Sequence, residues 1–238
     1  MSLHGLSGLD DLYFHGYYYA VPSGAPTRNT KLLFLSGPEA WGLPELRFHD
    51  MYFPDSAEES GHNQFGNCDG GYDGTDEDDN WHGGGLYPNQ WVRMEAYAHF
   101  GTAGQPDGSV WLQRRTETMV DRGPESPEAV LRNDGCDYEQ LLVWSYHADD
   151  EGSPTPGLEL YWDEIYVDNT QARVELGNGS TWTSSTHFEI QLPTAWDDSS
   201  ATVTVRRGVF APGSTAYVYL VNRDGTVNEQ GFPVTIGE

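Results

Sequence analysis

Arginine, histidine and tyrosine recur at alternate positions of two segments, and these residue types can hold a carboxylate and move a proton. Arg47 and His49 are two residues apart in the first segment, and Arg93, Tyr97 and His99 occupy odd positions of the second. A guanidinium binds a carboxylate through paired hydrogen bonds, and histidine and tyrosine act as general bases or acids. The five side chains therefore supply the groups for acid–base chemistry beside an anion.

The alternation in the second segment sorts its residues into two faces. Residues two apart in a strand share a face, and the even positions form an apolar set of Val92, Met94, Ala96, Ala98 and Phe100. The opposite face is polar yet rich in aromatic residues. A solvated face favours lysine, glutamate, threonine and serine, whereas a groove for a sugar polymer needs aromatic platforms. The predicted substrate-binding residues are Tyr17, Tyr19, Trp91, Trp144 and Tyr146.

Short runs with period-two alternation cover most of the chain, and clusters of glycine, proline, asparagine and aspartate separate them. Such runs predict strands, and such clusters predict turns. The predicted strands span residues 12–20, 31–35, 45–53, 91–100, 109–115, 140–147 and 159–168. Residues 124–132 are the one candidate for a short helix or turn. Many strands without intervening helices predict an all-β antiparallel sandwich or barrel.

From about residue 173 the chain changes to a smaller set of five short strands, separated by turns such as Pro212-Gly213 and Asp224-Gly225. A unit of this length suits an Ig-like β-sandwich that also leans on its neighbour. We therefore predict two domains, residues 1–172 and 173–238. We expect the second to support or space the first, with binding of a sugar or a partner as the alternative.

The chain of 238 residues is strongly acidic, because 37 aspartates and glutamates outnumber 12 lysines and arginines and give a formal net charge of -25. This charge repels a polyanion and excludes a nucleic-acid binder that works by neutralising phosphates. No apolar run reaches the roughly 20 residues of a membrane span, so we expect no membrane insertion. Lys31 is the only lysine. Acidic surfaces almost free of lysine resemble those of halophilic proteins, in which salt screens the repulsion; an ordinary acidic secreted protein is the alternative.

Residues 55–85 are rich in glycine, aspartate and asparagine and contain almost no apolar side chains. A stretch of this kind inside a compact domain predicts a functional or disordered loop without a strand. Asp76, Asp78 and Asn80 alternate within it, and oxygen ligands suit Ca²⁺. They are the predicted calcium ligands, although the spacing is not that of an EF-hand and a solvated loop is the alternative.

Cys68 and Cys136 are the only cysteines, and either one disulfide or two free thiols fits the sequence. A zinc site that combines Cys68 with His62 and His82 is disfavoured, because no pair of these ligands has the usual spacing. The sequence shows no secretion signal, and a trimmed one is compatible with its opening. We expect an extracellular or cell-surface protein.

Four segments form a pattern that extends from residue 12 to residue 174. They are LYFHGYYYAVPSG followed by NTKLLFLSG; WVRME followed by the turn Asp107-Gly108 and Val110-Trp111; the Glu-Leu-Arg of residues 45–47; and LYWDEIYVDNTQARV. Together they resemble the concanavalin A-like jelly rolls, a group that includes laminarinase-like glycosidases and several polysaccharide lyases. The resemblance implies an antiparallel jelly-roll β-sandwich over residues 1–172 and a polysaccharide as the partner.

The chain departs from both enzyme branches of this group. It lacks the Glu-x-Asp-x-x-Glu motif of the glycosidases, so retaining hydrolysis by two carboxylates is not supported. It also lacks the Gln-x-His and Tyr-x-Lys-x-Gly strands of the alginate lyases, although His62-Asn63-Gln64 has the right residue types in another order. The resemblance to lyases implies β-elimination: arginine or an amide neutralises a uronate carboxylate, histidine or tyrosine removes the adjacent proton, and tyrosine protonates the leaving oxygen.

For this reaction the predicted catalytic residues are Arg47, His49, Arg93, Tyr97 and His99. A second interpretation pairs Arg93 with Glu95 or another carboxylate, while Tyr97 and His99 only cover an outer sheet. The chain is then a non-catalytic carbohydrate-binding protein, or a structural or adhesion protein of a surface. The sequence leaves these interpretations open, together with the oligomeric state.

Overall fold

A computed structural model describes residues 1–22, 29–37, 45–51, 61–66, 87–122, 126–129, 131–133, 135, 137–148 and 158–237. Every regular element within these ranges is a strand. The strands are β1 (Ser2–His4), β2 (Asp11–Pro22), β3 (Asn29–Ser36), β4 (Glu45–Met51), β5 (Gly61–Gly66), β6 (Trp91–His99), β7 (Gly108–Arg115), β8 (Val120–Arg122), β9 (Ser126–Ala129), β10 (Gln140–Ala148), β11 (Leu158–Asp168), β12 (Arg173–Gly177), β13 (Phe188–Trp196), β14 (Ala201–Thr204), β15 (Thr215–Val221) and β16 (Phe232–Thr235). The prediction of an all-β fold is confirmed.

The strands form three antiparallel sheets. The first sheet has the order β1-β10-β3-β4-β5, and the second has the order β11-β2-β6-β7-β8, with β9 also paired to β7. The third sheet, β14-β13-β12-β15-β16, comes entirely from the C-terminal part of the chain. Strands that are neighbours in a sheet are often distant in sequence, so tight local turns alone do not build this topology.

The main core lies between the first and second sheets. Leu33, Leu35 and Leu141 contribute from the first sheet, and Phe14 and Met94 from the second, all of them nearly or fully buried. Burying each such side chain stabilises the fold by about 2 kcal/mol. The apolar face predicted for β6 points into this core, as the alternation indicates. The two sheets therefore form the predicted antiparallel sandwich.

The third sheet covers the other face of the second sheet. Tyr13 of β2 and Trp111 of β7 form one buried cluster with Ile190 of β13. The hydroxyl of Tyr17 donates a hydrogen bond to the carbonyl oxygen of Phe188 at 3.0 Å. Because of this third layer, the polar and aromatic face that the alternation identifies on the second sheet is largely removed from water.

The five strands of the third sheet form one continuous sheet, whereas an Ig-like sandwich has two. A small apolar cluster of Leu176, Phe210, Ala216 and Ile236 lies on this sheet. The Ig-like assignment and the domain boundary at residue 172 stay predictions.

Two local expectations are wrong. Residues 124–132, predicted as a short helix or turn, contain β9, which pairs with β7. An edge strand of this kind can contain a proline such as Pro127. The acidic stretch contains β5, which pairs with β4. In both places a preceding strand supplies the hydrogen-bond partners, and local composition carries no information about that pairing.

Three β-bulges interrupt the ladders near titratable residues. They lie between Arg47 and Asp50 in β4, between Val143 and Tyr146 in β10, and after Asp163 in β11. Glu164, inside the third bulge, has a φ of 50°. A bulge bends its strand and redirects the side chains beside it.

In the part of the chain that the structure describes, no helix is long and apolar enough to span a membrane.

Candidate functional site

The five predicted catalytic residues belong to two different sheets. Arg47 and His49 lie in β4 of the first sheet, whereas Arg93, Tyr97 and His99 lie in β6 of the second. The five residues therefore do not share one face. Alternation reports which residues of one strand share a face, but it does not report which sheet the strand joins.

Arg93 is 1% exposed and is part of an ion network between the second and third sheets. Its Nη2 lies 2.5 Å from Glu175 Oε1 and 3.1 Å from Glu95 Oε1. Arg173 binds the same two carboxylates, with Nε 2.7 Å from Glu175 and Nη2 2.8 Å from Glu95. The ion pair expected by the second interpretation of the sequence is present, and Arg93 does not face an open groove.

The network is balanced, with two guanidinium groups and two carboxylates. Burial by itself raises the pKa of Glu95, but Arg93 and Arg173 outweigh it and lower the pKa to about 2. Burial disfavours the charged form of Arg93, yet Glu175 and Glu95 raise its pKa above the ordinary value. Glu95 and Arg93 are therefore charged at neutral pH, and the network joins the two sheets electrostatically.

Tyr97 and His99 both bind Asp11. The hydroxyl of Tyr97 donates to Asp11 Oδ1 at 2.6 Å, and His99 Nδ1 lies 2.8 Å from the same oxygen. Arg223 Nη2 donates to Asp11 Oδ2 at 3.1 Å. Burial and the Asp11 carboxylate raise the pKa of Tyr97 above its ordinary value. The phenolate form that a general base requires is therefore costly to form. The pair is arranged around a carboxylate of the protein.

Three of the predicted substrate-binding residues line one cleft of about 580 Å³ between the second and third sheets: Tyr17, Tyr19 and Trp91. Trp91 is 47% exposed, and its ring centroid lies 5.5 Å from that of Tyr19. Tyr17 stacks on His187 with ring centroids 5.3 Å apart. An exposed tryptophan beside a tyrosine provides the kind of apolar platform on which a sugar ring stacks.

Glu164 of the second sheet and Glu189 of the third form a carboxyl pair at the junction of these two sheets. Burial, followed by the hydrogen bond to Glu189, raises the pKa of Glu164 to about 9. Burial also acts to raise the pKa of Glu189, but hydrogen bonds from His187, from Glu164 and from the backbone N–H of Val209 lower it to about 2. The two carboxyl groups therefore share one proton at neutral pH, since like charges in contact disfavour double ionisation.

His15 lies next to this pair and is fully buried. Its Nδ1 lies 3.2 Å from the carbonyl oxygen of Glu164. Burial, with the charge of Arg93 as a second cause, lowers the pKa of His15 to about 3. His15 is thus a neutral structural histidine at physiological pH.

The first sheet aligns a second set of polar residues along its hydrogen-bonded rows. In the pairing of β4 with β5, Arg47 lies opposite Gln64 and Asp50 lies opposite His62. Asp50 also lies opposite Lys31 of β3, and Lys31 lies opposite Tyr146 of β10. Residues directly opposite each other in an antiparallel ladder have Cα atoms about 5 Å apart. We call the row of Tyr146, Lys31, Asp50 and His62 and the neighbouring pair of Arg47 and Gln64 the first-sheet rows.

Gln64, Lys31 and His62 were not among the predicted site residues; His62 appeared in a disfavoured zinc set and in a tripeptide that departs from the alginate-lyase motif. The tripeptide His62-Asn63-Gln64 was the available signal, but its position beside Arg47 depends on the pairing of β5 with β4. Tyr146 and Trp144 lie in β10 of the same sheet, as strand residues of the first sheet. The predicted substrate-binding residues are thus also divided between two sheets.

The predicted calcium ligands Asp76, Asp78 and Asn80 lie outside the described residues, as do Cys68 and Cys136. Among the residues with described positions, no group of three or more histidine, cysteine, aspartate or glutamate side chains is placed to hold a metal ion. The calcium site stays a prediction.

No family model matches the chain, and no curated protein matches it. Solved structures of similar shape exist. A marine alginate lyase from Aplysia kurodai is 13% identical with a TM-score of 0.49, and the match covers 68% of this chain and 70% of that one. An alginate lyase from a Chlorella virus is 14% identical with a TM-score of 0.44, covering 68% and 72%.

An endo-β-1,4-glucuronan lyase from the fungus Trichoderma reesei is 11% identical with a TM-score of 0.45, and the match covers 70% of this chain and 72% of that one. Because all three identities are below 15% and all three TM-scores are below 0.5, the function proposed for this chain rests on its own residues.

Proposed function

We propose that the protein is a lyase that cleaves uronate-containing polysaccharides by β-elimination on the first sheet. The observation that carries the proposal is the register of the first-sheet rows, which places Arg47 opposite Gln64 and aligns His62 with Tyr146 across four strands. These are the residue types that the reaction needs. The pairing aligns Tyr146 in one row with His62, although the two residues are more than 80 positions apart in the sequence.

The roles follow from the chemistry of each residue. Arg47 and the amide of Gln64 offset the charge of the uronate carboxylate, which makes the neighbouring C–H acidic. His62 takes that proton as the general base, and the electrons of the C–H bond form a C=C bond as the glycosidic C–O bond breaks. Tyr146 gives a proton to the leaving oxygen. His49, on β4 beside Arg47, is the alternative base.

The net charge of -25 opposes an anionic polymer at low ionic strength. At about 1 M salt the Debye length falls to about 3 Å, so most of this repulsion is screened while direct contacts persist. We therefore propose a salty extracellular or cell-surface setting, where a polymer too large to enter a cell is accessible.

The first experiment follows the ultraviolet absorbance of the new unsaturated sugar on a panel of uronate polymers in molar NaCl. We expect product from at least one polymer. Arg47→Ala, His62→Ala and Tyr146→Phe should each lower the rate about 100-fold or more, since each removes a charge-stabilising or proton-transfer group. His4→Ala changes an exposed histidine of β1 in the same sheet and should leave the rate unchanged.

Product formation at wild-type rates by all three variants, each with a wild-type melting curve, would move the site away from the first-sheet rows. A non-catalytic carbohydrate-binding protein is the second candidate. The exposure of Trp91 in the cleft between the second and third sheets favours it. That candidate is correct if no polymer is cleaved and polysaccharide binding is retained.

A further inference from the structure

Arg115 is a buried cation without a carboxylate partner among the described residues. It is 5% exposed, and its one hydrogen bond to a described residue runs from Nη1 to the carbonyl oxygen of Ser185 at 2.7 Å. Its Nε is buried and has no hydrogen-bond partner among those residues. Within the described ranges, no carboxylate forms an ion pair with it. Buried arginines are otherwise found paired, because an isolated buried charge is strongly unfavourable.

The surroundings of Arg115 add positive charge instead of cancelling it. Arg115 of β7 lies directly opposite Arg93 of β6 in the ladder. Two carboxylates whose charges act on Arg115, Glu95 and Glu175, are already shared by Arg93 and Arg173 in the balanced network. Burial, followed by the charge of Arg93, lowers the pKa of Arg115 from its ordinary value. The charge of Arg115 therefore has no ion-pair partner of its own among the described residues.

The guanidinium of Arg115 borders the aromatic cleft, the opening lined by Tyr19 and Trp91 between the second and third sheets. Arg115 lines it together with Trp91 and Tyr19, while Gln90, Asn178 and Thr186 supply neutral hydrogen-bonding groups. The guanidinium lies 5.2 Å from the ring of Phe188 and 5.6 Å from that of Trp182, and these cation–π contacts stabilise its position. A cation, an exposed aromatic ring and several amides or hydroxyls thus converge on one opening.

We propose that this cleft binds an acidic sugar residue of a polysaccharide, with Arg115 paired to the sugar carboxylate and Trp91 stacked on the sugar ring. A carboxylate supplies the missing negative charge and accepts two parallel hydrogen bonds from a guanidinium. The ring of Trp91 buries the apolar face of the sugar. The cleft is separate from the first-sheet rows and performs no bond cleavage. It shares its substrate class with the proposed function and in that respect rests on it.

Of the three acidic residues that line the cleft, Glu164 is protonated at neutral pH, and the other two, Glu117 and Asp163, lie at the rim. Both are exposed, so molar salt screens them, whereas the contact between a carboxylate and buried Arg115 is screened much less. Binding of an acidic sugar should therefore survive in molar NaCl. At low salt, repulsion from the rim and from the net charge should weaken it.

The test measures binding by titration calorimetry in molar NaCl, using the full chain with Arg47→Ala so that the ligand is not consumed. Tetragalacturonate is the acidic probe, and cellotetraose is a neutral probe of equal length. We expect tetragalacturonate to bind more tightly. Arg115→Gln and Trp91→Ala should each weaken its binding about tenfold, the loss typical of a charge-assisted hydrogen bond or a stacking contact.

Arg206→Gln is the matched control, because Arg206 is an exposed arginine outside the cleft. Trp91→Ala removes an exposed ring without touching the ion network, so it tests the cleft even if Arg115→Gln perturbs folding. Equal affinity of the two probes, or unchanged tetragalacturonate binding by both cleft variants, overturns the inference.

The cleavage assay on the wild-type chain separates this result from the lyase proposal. Binding through Arg115 without cleavage of any polymer refutes the lyase and leaves the cleft standing. Cleavage combined with unaltered binding by both cleft variants refutes the cleft alone.

Discussion

Arg93 and Arg115 show how the surroundings of a residue determine its role. They are the same residue type, they lie opposite each other on neighbouring strands, and both are buried. Arg93 meets Glu175 from the third sheet, whereas the one hydrogen-bond acceptor that Arg115 meets among the described residues is a backbone carbonyl oxygen. Like charges directly opposite each other destabilise a sheet. The carboxylates of the network offset this for Arg93, and the charge of Arg115 remains available to a ligand.

The carboxyl pair gives a prediction at the same scale. The pKa of Glu164 in the folded chain is raised from an ordinary 4.5 to about 9. The stability contributed by this bound proton is therefore fully present below the ordinary value, and it is lost as the pH rises through that window. The lowered pKa of Glu189 acts in the opposite sense, and only toward acid pH.

We expect Glu164→Gln to remove this alkaline loss, because a neutral amide replaces the protonated carboxyl and still donates to Glu189. In melting experiments between pH 4.5 and about 9, the melting temperature of the variant should rise relative to that of the wild type as the pH increases. Glu159→Gln, an exposed change on the same strand, should give a constant difference. A constant difference for Glu164→Gln as well would show that the two carboxyl groups do not share a proton.

At the scale of elements, alternation identified most strands and the buried side of β6, but it missed β1, β5, β8 and β9. Strand formation by residues 61–66 depends on the pairing with β4, and that by residues 126–129 on the pairing with β7. Pairing with another strand depends on residues outside the segment, and it overrides local propensity. The candidate site was affected most, since the first-sheet rows exist only after β3, β4, β5 and β10 have paired.

The turn between β6 and β7 contains two glycines that allow a controlled comparison. Gly101 and Gly104 both have positive φ, 66° and 72°. A Cβ on Gly101 would lie 2.7 Å from the backbone nitrogen of Gly108, whereas the nearest atom to one on Gly104 is the Asn133 side-chain oxygen, 3.9 Å away. The two positions share backbone strain and differ in crowding.

We expect Gly104→Ala to lower the free energy of unfolding by about 1 kcal/mol, the effect of the left-handed backbone alone. Gly101→Ala should lower it by about 2 kcal/mol more, because the turn must shift to relieve the contact. Urea unfolding measures both. Equal losses would mean that the turn relaxes freely and does not hold β6 and β7 in register.

At the scale of the whole molecule, charge and burial oppose each other. The chain has a net charge of -25, yet its buried polar groups at the junction of the second and third sheets are arginines and glutamates in near balance. The excess carboxylates therefore lie elsewhere, and self-repulsion among them destabilises the compact state.

We expect the melting temperature to rise from low salt to molar NaCl, because the Debye length falls from about 10 Å at 0.1 M to about 3 Å at 1 M. Sucrose at equal osmolality serves as the control, since it stabilises folded proteins without screening charge. The same melting temperature at both salt concentrations would argue against a halophilic adaptation.

The sequence by itself determined most of the strand positions, the apolar side of β6, the acidity and the residue types available for chemistry, because these follow from a local period of two and from composition. Only the tertiary structure decided which sheet each strand joins and what covers it. The polar face that the sequence presents as a groove is closed by the third sheet, through contacts such as that between Arg93 and Glu175. These partners are 82 residues apart in the chain. Contacts at that separation depend on strand pairing and sheet packing, which a local pattern does not encode.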